Sequence, residues 1–91
     1  MNTSFKQSLK AQAHHLKPVV LLGGKGLTEA VVAETNIALL SHELIKVKIN
    51  GAEKEDRIKI AADLCQQLQA EMVQMIGNTV ILYRKNPEKN K

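Results

Sequence analysis

The sequence predicts a single α/β domain of two or three layers, with the element order α-β-α-β-α-β-β and a mixed four-stranded sheet. Three observations support this prediction. The chain has 91 residues, a usual length for one hydrophobic core. Apolar residues at helical spacing alternate with short stretches typical of strands. Glycine and proline mark the breaks between them. We expect the domain to cover residues 1–85, followed by a basic tail over residues 86–91.

The amino-acid composition excludes several classes of protein and several kinds of site. Hydrophobic residues make up 44% of the chain and charged residues 24%, as in globular domains. Phe5 and Tyr83 are its only aromatic residues, which excludes a surface on which several nucleic-acid bases stack on rings. The single cysteine, Cys65, excludes an intramolecular disulfide and a multi-thiolate metal site. No apolar run exceeds four residues, so we expect a cytoplasmic protein without a membrane partner.

A first helix is predicted over residues 3–16, with Thr3 or Ser4 as its N-cap. Its apolar stripe has spacings of four, four and three residues and consists of Phe5, Leu9, Ala13 and Leu16. A basic stripe runs beside it, formed by Lys6, Lys10, His14 and Lys17. Pro18 disfavours helical geometry at the preceding residue and therefore ends the helix.

The next elements are a strand, a helix and a second strand. Residues 19–22 form a continuous apolar run, which predicts a central strand buried on both faces. A helix follows from about residue 27 or 28 to residue 41, with Ala30, Ala33, Ile37 and Leu40 at helical spacing. Residues 44–49 alternate between apolar side chains and Lys46 and Lys48, which predicts a half-buried strand with a cationic open face.

The last elements are a helix and a hairpin. The helix is predicted over about residues 54–70, with its apolar stripe at Ile58, Ala61, Ala62, Cys65 and Leu68. The carboxylates of Glu53, Glu55 and Asp56 complement the dipole at its start. Residues 72–76 and 79–83 are short strands joined by a Gly-Asn turn. The whole order contains two β-α-β units, which predict parallel strand pairs.

Positive charge is concentrated at the two ends of the chain. Residues 1–28 carry a net charge of +4, residues 29–83 a net charge of −3, and residues 84–91 a net charge of +3. Such asymmetry indicates an anionic partner, although solubilising lysines explain it equally well.

The loop over residues 23–26, Gly-Gly-Lys-Gly, joins the first strand to the second helix. Backbone amides at such a loop, together with a nearby helix N-terminus and Lys25, favour a phosphate. The spacing fits neither a Walker A motif nor a dinucleotide fingerprint, because Glu29 stands where the latter needs its last glycine. A tight strand-to-helix turn is the alternative interpretation.

The stretches 16–28, 43–49 and 76–84 resemble, in this order, the blocks of the CRM domain, the chloroplast RNA splicing and ribosome maturation module. The stand-alone bacterial form, the YhbY family, is the most similar. This resemblance implies an RNA-binding protein of large-subunit ribosome precursors, with a fold like the C-terminal domain of the third bacterial translation initiation factor. It also implies that Gly23 and Gly26 are the fixed glycines of an RNA-clamping loop, and Gly24 and Lys25 its variable pair.

From the resemblance and the charge pattern together, we expect a non-enzymatic protein that holds ribosomal RNA by its phosphates, without a cofactor or a metal. The expected RNA-binding residues are Gly23, Gly24, Lys25, Gly26, Lys6, Lys10, His14, Lys17, Lys46, Lys48, Arg84 and Lys85. A protein-binding adaptor and a binder of a small phosphorylated ligand remain alternatives. The histidines and Cys65 match no metal-ligand spacing, and no residues converge as a catalytic set.

Overall fold

The computed structural model of the protein describes residues 2–23 and 25–86. Its elements follow the predicted order: α1 (Thr3–Ala13), β1 (Pro18–Leu22), α2 (Glu29–His42), β2 (Leu44–Ile49), α3 (Lys54–Leu68), β3 (Glu71–Ile76) and β4 (Thr79–Tyr83). The four strands form one mixed sheet in the order β1-β2-β4-β3. The predicted fold class is therefore confirmed.

The helices lie on both faces of the sheet, so the domain has three layers. On one face α2 and α3 cover the main core, which contains Leu22, Val47 and Leu82 from the strands and Leu39 and Leu64 from the helices. On the other face α1 packs a smaller cluster, formed by Leu9 and Ala13 with Val73 and Ile81. Both sides of the sheet thus contribute to stability, but α1 covers only part of its face.

The strand pairing differs in one respect from a simple pair of β-α-β units. Strands β1 and β2 are parallel neighbours, as predicted. Strand β4, however, lies between β2 and β3 and is antiparallel to both. Hence β2 and β3 run in the same direction without pairing, because the hairpin folds β4 back into the space between them.

The prediction that β1 is buried on both faces is wrong. Val20 and Leu22 point into the core, whereas Val19 and Leu21 are 49% and 58% exposed. Because β1 is an edge strand and α1 lies over β2 and β3, the outer face of β1 has no covering helix. An unbroken apolar run therefore occurs here in a strand that is buried on one side only.

The four apolar residues at helical spacing in α2, namely Ala30, Ala33, Ile37 and Leu40, face away from the core. Ile37 is 64% exposed and Leu40 is 46% exposed, and the helix instead buries Leu39 and Thr35. The Thr35 hydroxyl can be buried because it donates a hydrogen bond to the carbonyl of Val31 at 2.7 Å. Since α2 carries apolar residues around most of its circumference, periodicity alone does not identify the face that contacts the sheet.

Most of the predicted stripe of α3 is confirmed. Ala61, Cys65 and Leu68 are buried. Ile58 and Ala62 are exposed, and Leu64, which the prediction did not include, lies in the core. The helix ends earlier than predicted, because Gln69 adopts a left-handed conformation with φ 55°.

Helix α1 also differs from its predicted ends. Its N-cap is Asn2, whose side-chain oxygen accepts a hydrogen bond from the Phe5 amide at 2.7 Å. The helix ends at Ala13, and His14 is its C-cap. Two of the four residues of the predicted basic stripe, His14 and Lys17, therefore lie beyond its regular turns.

The folded domain extends past residue 85. Asn86 is 6% exposed, and its side-chain amide donates to the carbonyl of Leu40 at 2.6 Å. Its backbone N–H donates to the carboxylate of Glu43, also at 2.6 Å. The C-terminal segment is thus fastened to the end of α2, and Asn86 belongs to the domain. Residues 87–91, the rest of the predicted tail, lie outside the described residues.

Candidate nucleic-acid interface

The glycine loop lies at the surface between β1 and α2. The amide of Gly26 donates a hydrogen bond to the carbonyl of Gly23 at 3.1 Å, so the loop closes on itself as a tight turn. Gly26 has φ +72°, a conformation that glycine adopts most easily. A Cβ added at Gly23 or Gly26 would meet no atom within 4 Å. Gly23 and Lys25 are exposed and Gly26 is half-buried; Gly24 lies outside the described residues.

The start of α2 offers an anion at this loop fewer free amides and less positive charge than the sequence indicated. The helix begins at Glu29, and its N-cap Thr28 accepts a hydrogen bond from the amide of Val31 at 3.2 Å. One free amide of the first turn is therefore already satisfied, and an acidic residue occupies that turn. An anion at the loop would depend mainly on the loop amides and on Lys25.

One side of the loop is acidic. Gly23 and Gly26 border an open groove whose other wall is the start of α3 and the segment before it. That wall carries the carboxylates of Glu53, Asp56 and Asp63 and a single ammonium group, that of Lys59. A phosphate is disfavoured on this side of the loop, since three negative charges face one positive charge.

The opposite side of the loop leads to an open area of the sheet. The predicted alternation of β2 is confirmed, because Val47 and Ile49 are buried in the main core while Lys46 and Lys48 lie on the other face. Helix α1 covers this face around Leu44 and Ile81, and it leaves the end near the glycine loop uncovered. Both lysines are half-buried among their neighbours on the sheet.

Four residues form a row across this uncovered end, one from each strand. Lys48 pairs with Leu21 of β1 on one side and with Thr79 of β4 on the other, and Thr79 pairs with Ile76 of β3. We call these four residues the open-face row. In the next row Lys46 pairs with Pro18 and Ile81. The ammonium group of Lys46 donates to the Leu16 carbonyl at 3.0 Å, so it is held over the link between α1 and β1.

The basic residues of α1 do not form one stripe with Lys17. Lys17 borders a pocket together with Gln12 and Val19, on the side of α1 that faces β1. On a helix with 3.6 residues per turn, Lys6 and Lys10 lie on the flank opposite Gln12. The cations of the N-terminal segment are therefore divided between two flanks of α1, rather than gathered along one line.

Arg84 has a structural role. Its guanidinium group donates to the carbonyl of Leu68, at the end of α3, at 3.0 Å and to that of Asn36, in α2, at 3.3 Å. These bonds hold α2 and α3 together on the side of the sheet away from the open-face row. The guanidinium group is thus committed to contacts within the fold. Lys85 is exposed but lies on the same distant side, beside Leu40 and Asn86.

A comparison with protein-family models matches residues 1–84 to the CRS1/YhbY (CRM) domain. This chain belongs to the CRM domain family. The match spans all seven elements, the glycine loop and the open-face row. CRM domains are RNA-binding domains and not enzymes.

Two curated relatives of this CRM domain are similar over nearly their whole length. A Haemophilus influenzae protein named "RNA-binding protein" is 50% identical over 97% of this chain and 89% of its own. A Pseudomonas aeruginosa protein named "Probable RNA-binding protein" is 49% identical over 94% of this chain and 83% of its own. The solution structure of a Staphylococcus aureus protein is 28% identical, has a TM-score of 0.84, and matches 94% of this chain and 90% of its own.

The titratable core groups of the CRM domain lie away from the interface. Burial, and to a smaller extent Glu71, raises the pKa of the Cys65 thiol to about 11. Cys65 is buried in the main core, as its place in the apolar stripe of α3 predicts. Burial and the carboxylate of Glu43 raise the pKa of Tyr83.

Two further properties concern residues 2–23 and 25–86 only. They contain no group of three or more His, Cys, Asp or Glu side chains placed to hold a metal ion. None of the helices in this part of the chain is both long and apolar enough to cross a membrane.

The apolar members of the open-face row are not evident from the sequence. The apolar run predicts a buried Leu21, and the hairpin pattern gives Ile76 no role beyond its strand, but they are 58% and 59% exposed. Pro18 offered a signal for this, since proline within a sheet is confined to edge strands, strand starts and bulges.

Proposed function

We propose that this CRM domain binds structured ribosomal RNA, chiefly through its phosphates, and acts in the assembly of the large ribosomal subunit. The observation that carries the RNA part is the adjacency of an uncovered glycine loop to the uncovered, lysine-bearing end of the sheet. The family and the names of its relatives support RNA as the partner. The assignment to ribosomal RNA and to the large subunit follows from the resemblance to the stand-alone bacterial CRM proteins.

The glycine loop supplies two kinds of contact to a phosphate. No Cβ at Gly23 or Gly26 would stand in the way of a phosphate that approaches the backbone. The Gly26 amide already donates within the turn, so the backbone contact falls to the other amides of the loop. Lys25 adds a mobile charge. Such contacts recognise the sugar–phosphate backbone and carry no base specificity, as expected for a protein that reads RNA by its shape.

The approach of the RNA is limited by charge. The groove on the α3 side of the loop is acidic, whereas Lys46 and Lys48 lie on the sheet side. A strand that places one phosphate on the loop therefore continues over the sheet face and not into the groove. Of the cations on α1 and in the link after it, Lys17 lies on the β1 side, and Lys6, Lys10 and His14 provide more distant attraction.

Charge-reversal variants with a matched control test this direction of approach. Lys25→Glu and Lys48→Glu should each weaken the binding of a structured ribosomal RNA fragment by about tenfold or more. Lys85→Glu changes the net charge by the same amount but lies on the side of the domain away from the open-face row, so it should have little effect. Equal losses in all three variants would show that only net charge matters and would refute the proposed interface.

The dependence on salt provides a second measurement. With roughly four to six phosphate contacts, the logarithm of the binding constant should fall against the logarithm of salt concentration with a slope of about −3 to −5. Lys48→Met should reduce the size of that slope by about one. A wild-type protein that binds no RNA at low salt would overturn the proposal.

The role in subunit assembly needs a separate experiment. Wild-type protein should sediment with large-subunit precursors in low-salt extracts, and the Lys25→Glu and Lys48→Glu variants should not. Cross-linking in cells followed by sequencing of the attached RNA would identify the segment. Cross-links outside ribosomal RNA would reject this part while leaving RNA binding intact.

A protein-binding adaptor is the second candidate function, and one observation favours it. Ile37 and Leu40 form an exposed apolar patch on α2, on the side of the domain opposite the open-face row. An adaptor would lose its partner with Ile37→Glu and would keep it with Lys48→Glu. The small phosphorylated ligand is disfavoured, because the groove beside the glycine loop is acidic.

A further inference from the structure

We infer that the open-face row is a binding site for one or two unpaired nucleotides of the RNA strand whose phosphate lies on the glycine loop. This inference rests on the proposed function and specifies the kind of RNA that the site accepts. Its basis is the juxtaposition, in one row, of Leu21 and Ile76 at the two edges with Lys48 and Thr79 between them.

The two apolar residues of the row present most of their surface to solvent. Leu21 and Ile76 are 58% and 59% exposed, and they stand about 14 Å apart across four strands spaced at about 4.8 Å. Helix α1 packs against the other end of this face, around Val73 and Ile81. Exposed apolar side chains that share a face with cations are typical of a binding surface.

The location of the row joins it to the glycine loop. Leu21 is two residues before Gly23, and Lys48 is near the end of β2, the strand next to β1. Ile76 and Thr79 flank the turn of the hairpin at the same end of the sheet. A strand that leaves the loop toward the sheet therefore meets this row first.

The chemistry of the row fits unpaired nucleotides better than a duplex. A duplex presents phosphates and 2′-hydroxyl groups outward and buries the faces of its bases, so it has little to place against Leu21 and Ile76. An unpaired nucleotide brings both an apolar base face and a phosphate. The aliphatic residues would contact the base, Lys48 the phosphate, and the Thr79 hydroxyl a polar edge. Because the row holds no carboxylate, its charge favours such an anion over an acidic or neutral peptide without phosphate.

Other four-stranded sheets hold about two or three unstacked bases, using aromatic residues for the contact. Aliphatic residues offer a smaller and less directional contact, so this site should accept any base. Sequence preference would then be weak, while a preference for unpaired over paired nucleotides would be strong.

The test uses three RNA hairpins of one sequence: one fully paired, one with a two-nucleotide bulge, and one with the same bulge lacking its bases. Wild-type protein should bind the bulged hairpin about tenfold more tightly than the other two, by fluorescence anisotropy at low salt. The double variant Leu21→Ala with Ile76→Ala should lose this preference and bind all three hairpins alike.

A matched control removes the same atoms elsewhere. The double variant Leu40→Ala with Ile37→Ala also truncates one exposed leucine and one exposed isoleucine, but on α2. It should keep the wild-type preference. If the Leu21→Ala, Ile76→Ala variant melts below the assay temperature, a variant with threonine at both positions takes its place, because threonine retains strand propensity.

The outcomes separate this inference from the function on which it rests. Equal binding of all three hairpins by wild-type protein would overturn the inference and leave phosphate binding intact. A preference for the bulge that survives the row variant, or that the α2 variant also loses, would overturn it too. Failure to bind any hairpin would overturn the proposed function and the inference together.

Discussion

The guanidinium group of Arg84 offers the sharpest test of how the C-terminal segment holds this domain together. In Arg84→Met the side chain keeps its apolar stem but loses its hydrogen-bond donors. The carbonyl of Leu68, at the end of α3, then loses the donor that lies 3.0 Å away. The last carbonyls of a helix have no intrahelical donor, so this one would be left without a protein partner.

The expected cost can be worked out from these two bonds. When a buried or half-buried carbonyl loses a charged hydrogen-bond donor, the folded state is destabilised by about 1–3 kcal/mol. The second bond, to Asn36, is longer at 3.3 Å, and that carbonyl lies within α2, where it already accepts an intrahelical bond. We therefore expect a decrease of about 2 kcal/mol in the free energy of unfolding, which for a domain of this size lowers Tm by roughly 8–16 °C.

The assay combines thermal unfolding with RNA binding. Lys85→Met is the control. Lys85 is the next residue and is exposed, so its substitution should change the free energy of unfolding by less than about 0.5 kcal/mol. At a temperature where both variants are folded, Arg84→Met should bind RNA within about twofold of wild type. An unchanged Tm together with a large loss of RNA affinity would refute the structural role of Arg84.

Three further predictions concern the core and the glycine loop. Leu39→Ala should cost about 2–5 kcal/mol in urea unfolding because Leu39 is fully buried, whereas Ile37→Ala should cost under about 1 kcal/mol; equal costs would contradict the orientation of α2. Burial raises the pKa of the Cys65 thiol from its ordinary value of 9.0 to about 11, so the unfolded chain loses this proton at lower pH than the folded protein. The free energy of unfolding of the wild type should therefore fall between about pH 9 and about pH 11 more steeply than that of Cys65→Ala. Parallel slopes would show that burial does not raise this pKa. Gly26→Ala should destabilise by about 1 kcal/mol because of its φ of +72°, and Gly23→Ala should not; a destabilising effect of Gly23→Ala alone would contradict the loop geometry.

Much of the candidate site follows from residues that are close in the chain. The alternation of residues 44–49 is enough to place Lys46 and Lys48 on the face opposite Val47. The glycine loop can be located because a strand pattern precedes it and a helical pattern follows it. In both cases the relevant physics acts over a few neighbouring residues, and a local pattern records it.

Other features depend on contacts between distant parts of the chain. Arg84 stands in a basic stretch of the sequence, yet its guanidinium group binds carbonyls of α2 and α3. Likewise, the acidic wall of the groove beside the glycine loop comes from α3, some thirty residues further along the chain. Neither arrangement leaves a local trace, since a lysine or arginine in a sequence gives no indication of what it will meet after folding.

The amino-acid order by itself determined the number, type and succession of helices and strands, because these depend on hydrophobic spacing, caps and glycines within short windows. Only the tertiary structure decided which sides of β1 and α2 are exposed, since that depends on strand order and on the area of sheet that α1 reaches. The insertion of β4 between β2 and β3 completes the open-face row, and the shortness of α1 leaves it uncovered.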